Sequence, residues 1–394
     1  MVHLSPAARD LEPYPFEELD RRRKEAIESG RQLIDFGVGD PRDVTPPHVR
    51  EALAAAIEPV SSYPRAAGLP ELREVISAWV SRRFGVSLDP DTALLPTLGS
   101  KELIFSLAQV LVDPAGGRDL VVVTSPGYTI PERGARFAGA QVLRLPLEES
   151  ASFLPDLGSV GASTWDRTAI LWLNYPNNPT GSVAPLDFLR DAAEQARAYG
   201  FVLACDEAYS ELWFEGGPPP SVLQVGDLTN VLAINTLSKR SSMTGYRSGF
   251  AAGDAELIAT LKRLRPSLGV TPQEFVQRAS IAAWNDEKHV EDNRRRYAAK
   301  RAVLLEVFAR HGVEVPGSAA TFYLWVKVPL LAGAVDRPSL TWALELLDRG
   351  GLIVAPGSFF GAQGEGYVRM AMVPVLEDCE KAAGILDGLL GEGR

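Results

Sequence analysis

Residues 169–209 read AILWLNYPNNPTGSVAPLDFLRDAAEQARAYGFVLACDEAY. AILWLN (169–174) and FVLAC (201–205) are short apolar runs of the kind that form strands covered on both faces. Between them, 185–199 has helical periodicity. Strand, helix, strand in this order predicts a parallel or mostly parallel sheet wrapped by helices. The pattern extends outward. DLVVVT (119–124), QVLRL (141–145), NVLAIN (230–235) and SGFAA (248–252) are further strand-like runs. Upstream, 17–30, 47–57, 70–84 and 101–112 read as helices, with Pro47 near one start and Gly30 and Gly85 as stops.

After about residue 270 the texture changes. A helix (273–284) leads into a long charged helical pattern (286–311). Then follow a strand (321–328), a helix (339–349), strands at 352–354 and 367–373, and a closing helix. This reads as a smaller α+β unit. The chain has 394 residues, more than one hydrophobic core usually serves, so two domains are expected. The expected division is an N-terminal segment (1–45) joining the smaller domain, a large domain (46–272) and a small domain (273–394).

Composition removes several classes. The formal net charge of −10 argues against a general nucleic-acid binder. No run of 18 apolar residues exists, and MVHLSPAARDLEPYP lacks a secretory pattern, so a soluble cytoplasmic protein is expected. Cys205 and Cys379 make no disulfide framework or thiolate metal site. His3, His48, His289 and His311 are scattered without HExxH, so no metal is expected. The run Arg21-Arg22-Arg23-Lys24 sits among acidic residues and reads as a solvated helix face. There is no GxSxG elbow and no P-loop.

The chemistry-bearing residues cluster after predicted strands, where open α/β sheets bind ligands. YPNNPTG (175–181) follows the first apolar run quoted above, and Asp206-Glu207-Ala208-Tyr209 follows the second. TLSKRSSMTGYRSG (236–249) follows NVLAIN. A carboxylate at the end of a buried strand is costly unless it meets a cation or strong donors. A lysine near other cations and partly desolvated acquires a lowered pKa and becomes a nucleophilic amine. Hydroxyls with an arginine suit a phosphate. Together these parts suit pyridoxal phosphate, which needs an amine, a carboxylate at its ring nitrogen, donors for its phenolic oxygen and an anion site. Lys239, Asp206, Asn178 with Tyr209, and Thr236 with Arg247 fill those needs in turn. LGSKE (98–102) opens a helix and offers a further phosphate site at Gly99, Ser100 and Lys101.

YPNNPTG, DEAY and SKRSSMTGYRSG resemble the three signatures of the class I/II aminotransferases, the fold-type-I pyridoxal-phosphate enzymes. They occur in order, with 28 residues from Asn178 to Asp206, 33 more to Lys239 and 8 more to Arg247. The resemblance spans nearly the whole chain, from GVGDPRDVTPP (37–47) to YVRMAM (367–372). It implies a large domain with a mostly parallel sheet plus a smaller α+β domain. It also implies that Lys239 carries the cofactor aldehyde and shuttles protons, Asp206 meets the pyridine nitrogen, and Tyr209 and Asn178 meet the phenolic oxygen. Thr236, Ser100, Lys101 and Arg247 match phosphate ligands; the family often has serine where this chain has Thr236. Tyr128 matches the ring that stacks on the cofactor, Gly39 and Asn178 match substrate contacts, and Arg369 matches the clamp on the substrate α-carboxylate. Tyr63 matches a tyrosine that reaches the neighbouring subunit's phosphate, which implies a homodimer with active sites at the interface.

The implied reaction is ping-pong transamination between an amino acid and a 2-oxo acid, with glutamate and 2-oxoglutarate as one pair. YPFEEL (14–19), LPTLGSKELI, SKRSSMTGYRSGF and GLIVAPGSFFG (351–361) resemble the N-succinyl-diaminopimelate aminotransferases of lysine biosynthesis. Aspartate and broad-specificity aminotransferases share most of these strings. A C–S lyase or oxidase on the same scaffold would present the same cofactor groups. A non-catalytic regulator is a further reading, disfavoured by the intact Lys239 and by the lack of a basic helix-turn-helix extension before the family core. Arg65 and Arg42 are candidates for binding a distal substrate carboxylate.

Overall fold

Seven strands lie side by side in one sheet, in the order Leu94–Thr97, Gly249–Gly253, Val231–Thr236, Val202–Asp206, Thr168–Asn174, Leu120–Ser125 and Gln141–Pro146. Only Gly249–Gly253 runs against its neighbours; the other pairings are parallel. The structure, a computed structural model, describes residues 2–9, 17–60, 62–329 and 336–391. The first half of the YPFEEL string, residues 14–16, therefore lies outside the described residues.

The central strands are buried along their whole length. Alternation sends Leu171 and Leu173 to one face and Ile170 and Trp172 to the other. Helices cover both faces. Pro70–Phe84, Leu186–Tyr199 and Glu274–Trp284 bury Trp79, Ala192 and Trp284 on one side; Lys101–Ser106 and Ala255–Leu268 bury Ile104 and Leu261 on the other. Each fully buried Leu or Ile contributes about 1.5–3 kcal/mol. Pro70–Phe84 has proline at its first position and Gly85 in the left-handed region just beyond its end, as its sequence predicts.

Several elements of this unit escape the sequence reading, Leu94–Thr97 and Ala255–Leu268 among them. Leu94–Thr97 is an edge strand that contains Pro96; proline is tolerated there because an edge leaves one row of backbone groups unpaired. Ala255–Leu268 is a helix begun by Asp254, whose side chain accepts from Glu256 N and Leu257 N.

A second apolar core gathers around the antiparallel strands Ala355–Pro356, Tyr367–Ala371 and Tyr323–Lys327. The 23-residue helix Lys288–Arg310 brings it Tyr297, Leu304 and Phe308. Ile34–Asp35 pairs in parallel with Leu352–Ile353, and Ala371 N donates to Phe36 O at 2.7 Å, so the early chain is stitched to this core. Glu274–Trp284, assigned to the small domain by the expected boundary at 273, instead packs Ala279, Ala283 and Trp284 into the larger core. The physical reason is its partner: Trp284 lies 4.6 Å from Trp79, ring centroid to centroid. Among the described residues, no helix is long and apolar enough to cross a membrane.

Candidate active site

Three neighbouring parallel strands end at Asn174, Asp206 and Thr236, and the cavity of about 900 Å³ opens beyond those ends. Asn174 latches the first two together. Its Nδ2 donates to Asp206 O at 2.8 Å, and its Oδ1 accepts from Asn178 N at 2.8 Å. The two asparagines of YPNNPTG then divide the work. Asn177 closes the turn by accepting from Thr180 N and Oγ1, while Asn178 lines the cavity.

Gly39, Ser100, Lys101, Tyr128, Asn178, Asp206, Tyr209, Thr236, Lys239, Arg247 and Arg369 all line this one cavity. They come from eleven positions spread over 330 residues of chain, from 39 to 369. Lys239 sits in the short helix Leu237–Arg240 that follows its strand directly, with Thr236 as N-cap accepting from Ser238 N. Lys239 Nζ donates to Gly39 O at 2.6 Å. Burial pulls its pKa down to about 8, against the attraction of Asp40; Arg369, Arg247 and Lys101 push the same way as burial. Asp206 is buried and accepts from a single backbone N–H, that of Ala208 at 3.2 Å. Burial raises its carboxyl to about 6. A buried carboxylate so sparsely bonded is suited to receive a cationic N–H.

Arg369, on strand Tyr367–Ala371, spans the junction of the two units. Its Nη1 donates to Asn178 Oδ1 at 3.0 Å and its Nη2 to Gly37 O at 2.7 Å. The guanidinium lies 4.3 Å from the Tyr323 ring centre and 4.5 Å from that of Phe360, and its Nε has no hydrogen-bond partner. Arg247 approaches Gly99 so closely that a Cβ there would fall 2.5 Å from Nη2. Glycine is needed at that point, with φ +69°. Gly39 is constrained by space and not by its backbone angle, since a Cβ would fall 2.1 Å from the Tyr323 hydroxyl.

Tyr209 Oη shares a hydrogen bond of 3.0 Å with Tyr323 Oη, and burial raises both phenols. Thr236 Oγ1 donates within the site to Ser248 O or Ser238 Oγ. The structure adds residues that sequence reasoning passed over. Tyr323, Asp40, Ser238 and Phe360 line the same cavity. Asp40 lies within the quoted GVGDP string, and its acidity beside Gly39 was the available signal. Tyr323 had none, because its strand is buried on both faces and shows no alternation.

Three expected residues lie elsewhere. Tyr63 is fully exposed and outside this cavity, at 102% relative exposure. Arg65 is exposed and does not line it. Arg42 is engaged elsewhere: its Nη2 is 3.9 Å from Asp35 Oδ2, and it too is absent from the lining. Asp35 is the reason, being buried and needing a cation; Arg23 serves it at 3.2 Å as well.

The residues present fit pyridoxal phosphate on structural grounds. A desolvated amine, a buried carboxylate lacking a charged partner and a glycine-cushioned guanidinium face one cavity.

The family model described as aminotransferase class I and II matches residues 31–386. The chain is 37% identical over 384 residues to an LL-diaminopimelate aminotransferase of Dehalococcoides mccartyi, covering 96% of this chain and 97% of that one. It is 38% identical over 387 residues to an LL-diaminopimelate aminotransferase of Aquifex aeolicus, covering 97% and 98%. Among solved structures it is similar to a probable N-succinyldiaminopimelate aminotransferase of Thermus thermophilus, with TM-score 0.86, 32% identity, and 95% and 99% of the two chains covered. The chain belongs to the class I and II aminotransferases and is a pyridoxal-phosphate-dependent transaminase.

Proposed function

We propose that the chain transaminates an amino acid of the diaminopimelate type, with LL-diaminopimelate as donor and 2-oxoglutarate as acceptor. One observation carries the site assignment: Lys239 Nζ lies in a cavity shared by the buried Asp206 carboxylate and the Arg369 guanidinium. Support for this substrate comes from the two LL-diaminopimelate aminotransferases, to which the chain is similar over nearly their full length, and it replaces the N-succinyl substrate as first choice. The Thermus thermophilus relative supports the N-succinyl compound as the second reading.

When bound, the cofactor supplies an aldehyde that receives the amino group and a ring that draws electrons from the substrate Cα. In this assignment Asp206 would hold the positive charge at the ring nitrogen, and its burial would strengthen that pairing. Asn178 and Tyr209 would supply donors for the phenolic oxygen, Thr236, Ser100, Lys101 and Arg247 would hold the phosphate, and Tyr128 would pack on the ring; all line the one cavity. A second copy of the chain contributes Tyr63 to the same anion in a homodimer, which accounts for its exposure within one chain.

Arg369 binds the substrate α-carboxylate through a bidentate pair. Its present partners, Asn178 Oδ1 and Gly37 O, are neutral acceptors that a carboxylate displaces or joins. Gly39 keeps the floor of the site low. Lys239 Nζ, neutral above about pH 8, takes the proton from substrate Cα. Protonated, it would then deliver that proton to the aldehyde-derived carbon, two bonds from Cα across the substrate nitrogen, so no external base is consumed, and water would complete the release of the oxo acid. Product 2-oxo acid leaves, and a second oxo acid reverses the sequence with the same residues.

Two measurements test this. Borohydride reduction of the cofactor-loaded enzyme followed by peptide mapping should label Lys239; label at any other residue overturns the site. A donor panel with 2-oxoglutarate should give the highest kcat/KM for LL-diaminopimelate. A higher value for N-succinyl-LL-diaminopimelate or aspartate overturns the substrate.

A further inference from the structure

We infer that His48, Asp286 and His289 form a binding site for one transition-metal dication, Zn²⁺ foremost, at the foot of the segment that carries Lys239. His48 is the second residue of helix Pro47–Ala55. Asp286 lies two residues before helix Lys288–Arg310, and His289 is that helix's second residue. One ligand atom from each of the three lies within 4.8 Å of the others. His48 Nε2 is 3.9 Å from Asp286 Oδ2, His289 Nδ1 is 2.5 Å from the same oxygen, and the two imidazole centres are 5.5 Å apart.

Three features go beyond proximity. First, His48 Nε2 is closed to solvent and has no hydrogen-bond partner. A buried ring nitrogen left unpaired is destabilising, and a cation at this point would give it a partner. Second, His289 is held from its far side, with Nε2 2.8 Å from Ser241 Oγ. A polar atom behind the ring is how metal-bound imidazoles are oriented. Third, the Asp286 side chain is 36% exposed and that of His48 41%, so solvent reaches the edge of the cluster, the side from which an ion would enter. Zinc–nitrogen and zinc–oxygen bonds near 2.0–2.1 Å put tetrahedral ligand atoms about 3.3 Å apart. The observed 2.5 and 3.9 Å to Asp286 straddle that spacing, so these two contacts shift by less than about 1 Å, and the two ring nitrogens lie within 4.8 Å of each other. Two imidazoles with one carboxylate favour zinc-like ions over Mg²⁺ or Ca²⁺.

The order Ser241, His289, Asp286 is also that of a hydrolytic triad. Ser241 is 1% exposed and does not line the cavity, so no substrate reaches its hydroxyl. Simple hydrogen bonding accounts for His289 and Asp286 and leaves His48 Nε2 unexplained. A cation would fasten the helix beginning at Pro47 to the turn at 286–289. Through Ser241 it would also brace the chain two residues beyond Lys239.

The test uses the cofactor-loaded enzyme, cleared of metal by EDTA and dialysed, then titrated with zinc chloride alone against a chromophoric chelator. One Zn²⁺ per chain is expected, with a rise in Tm. His48→Ala and Asp286→Asn should each weaken binding at least 10-fold and remove the Tm rise, with the cofactor absorbance intact. Ser241→Ala should weaken binding about 10-fold. Absence of stoichiometric zinc in the wild type overturns the site, as does unchanged affinity in both His48→Ala and Asp286→Asn. Because the readout is metal affinity and cofactor absorbance, failure here leaves the transaminase assignment standing.

Discussion

Lys239 and Arg240 adjoin in the chain and face opposite worlds. Lys239 turns into the cavity, where a backbone carbonyl is its hydrogen-bond partner and its charge is destabilised. Arg240 turns into the core at 1% exposure. There it donates to Ala283 O at 2.8 Å and Glu287 Oε1 at 2.7 Å, and lies over the indoles of Trp284 and Trp79 at 4.8 and 5.6 Å. Asp206 and Glu207 repeat the contrast one strand away. Glu207 accepts from Ser221 Oγ and Val222 N, tying down a loop, whereas Asp206 keeps one backbone donor and faces the cavity. In both pairs, the side that carries structure has several fixed hydrogen-bond partners, although burial still pushes the Glu207 carboxyl up to about 7. The side that carries chemistry leaves its charge for a ligand.

The largest expected effect falls on the first member of each pair. Lys239→Ala should reduce transamination by about 10⁴-fold or more and abolish covalent capture of the cofactor aldehyde. Stopped-flow kinetics and the absorbance band check it, and a retained band would break the contrast with Arg240. Arg369→Ala should cut kcat/KM for the amino donor by about 100-fold, the value of a lost bidentate charge pair, with cofactor loading intact. Loss of cofactor in that variant would show that Arg369 serves the cofactor and not the substrate.

Asp206→Asn sharpens the comparison through pH. The folded carboxyl titrates at about 6, above its unfolded value near 3.8, so the folded state binds the extra proton between those values. Stability of the cofactor-free wild type therefore falls as pH rises through that window. Asp206→Asn removes the dependence. The variant should match the wild type near pH 4 and exceed it by about 3 kcal/mol at pH 8, measured by urea unfolding of the cofactor-free proteins. Equal stabilities at pH 8 would mean that Asp206 is already paired. The smallest effect belongs to the structural side: Arg240→Met should lower unfolding free energy by about 2 kcal/mol while leaving the cofactor band unchanged. A shifted band would show that the two neighbours are not independent.

Much of this molecule was legible in local pattern. The apolar runs at 119–124, 141–145, 169–174, 201–205, 230–235 and 248–252 all became strands of one sheet, within a residue or so at each end. Burial on both faces makes each run apolar without help from distant chain. Lys239, Asp206, Asn178, Tyr128 and Arg247, which line the cavity, were legible because each follows one of those runs at short range. Leu94–Thr97 was not, since four residues with a proline match no periodicity and its pairing with Gly249–Gly253 is set by residues about 155 positions away.

What the chain determined by itself is the succession of strands and helices and the chemical types delivered at their ends. That follows from short-range periodicity, glycine and proline punctuation, and the cost of placing Asp206 and Lys239 in apolar surroundings. Tertiary structure alone decided which partners those groups meet. Gly39 O beneath Lys239, Tyr323 beneath Gly39, Asn178 beside Arg369, Arg42 drawn off to Asp35 and His48 set beside His289 are contacts across distant stretches of chain. No local pattern records such contacts, because they exist only once two separate hydrophobic cores have packed and brought their edges together.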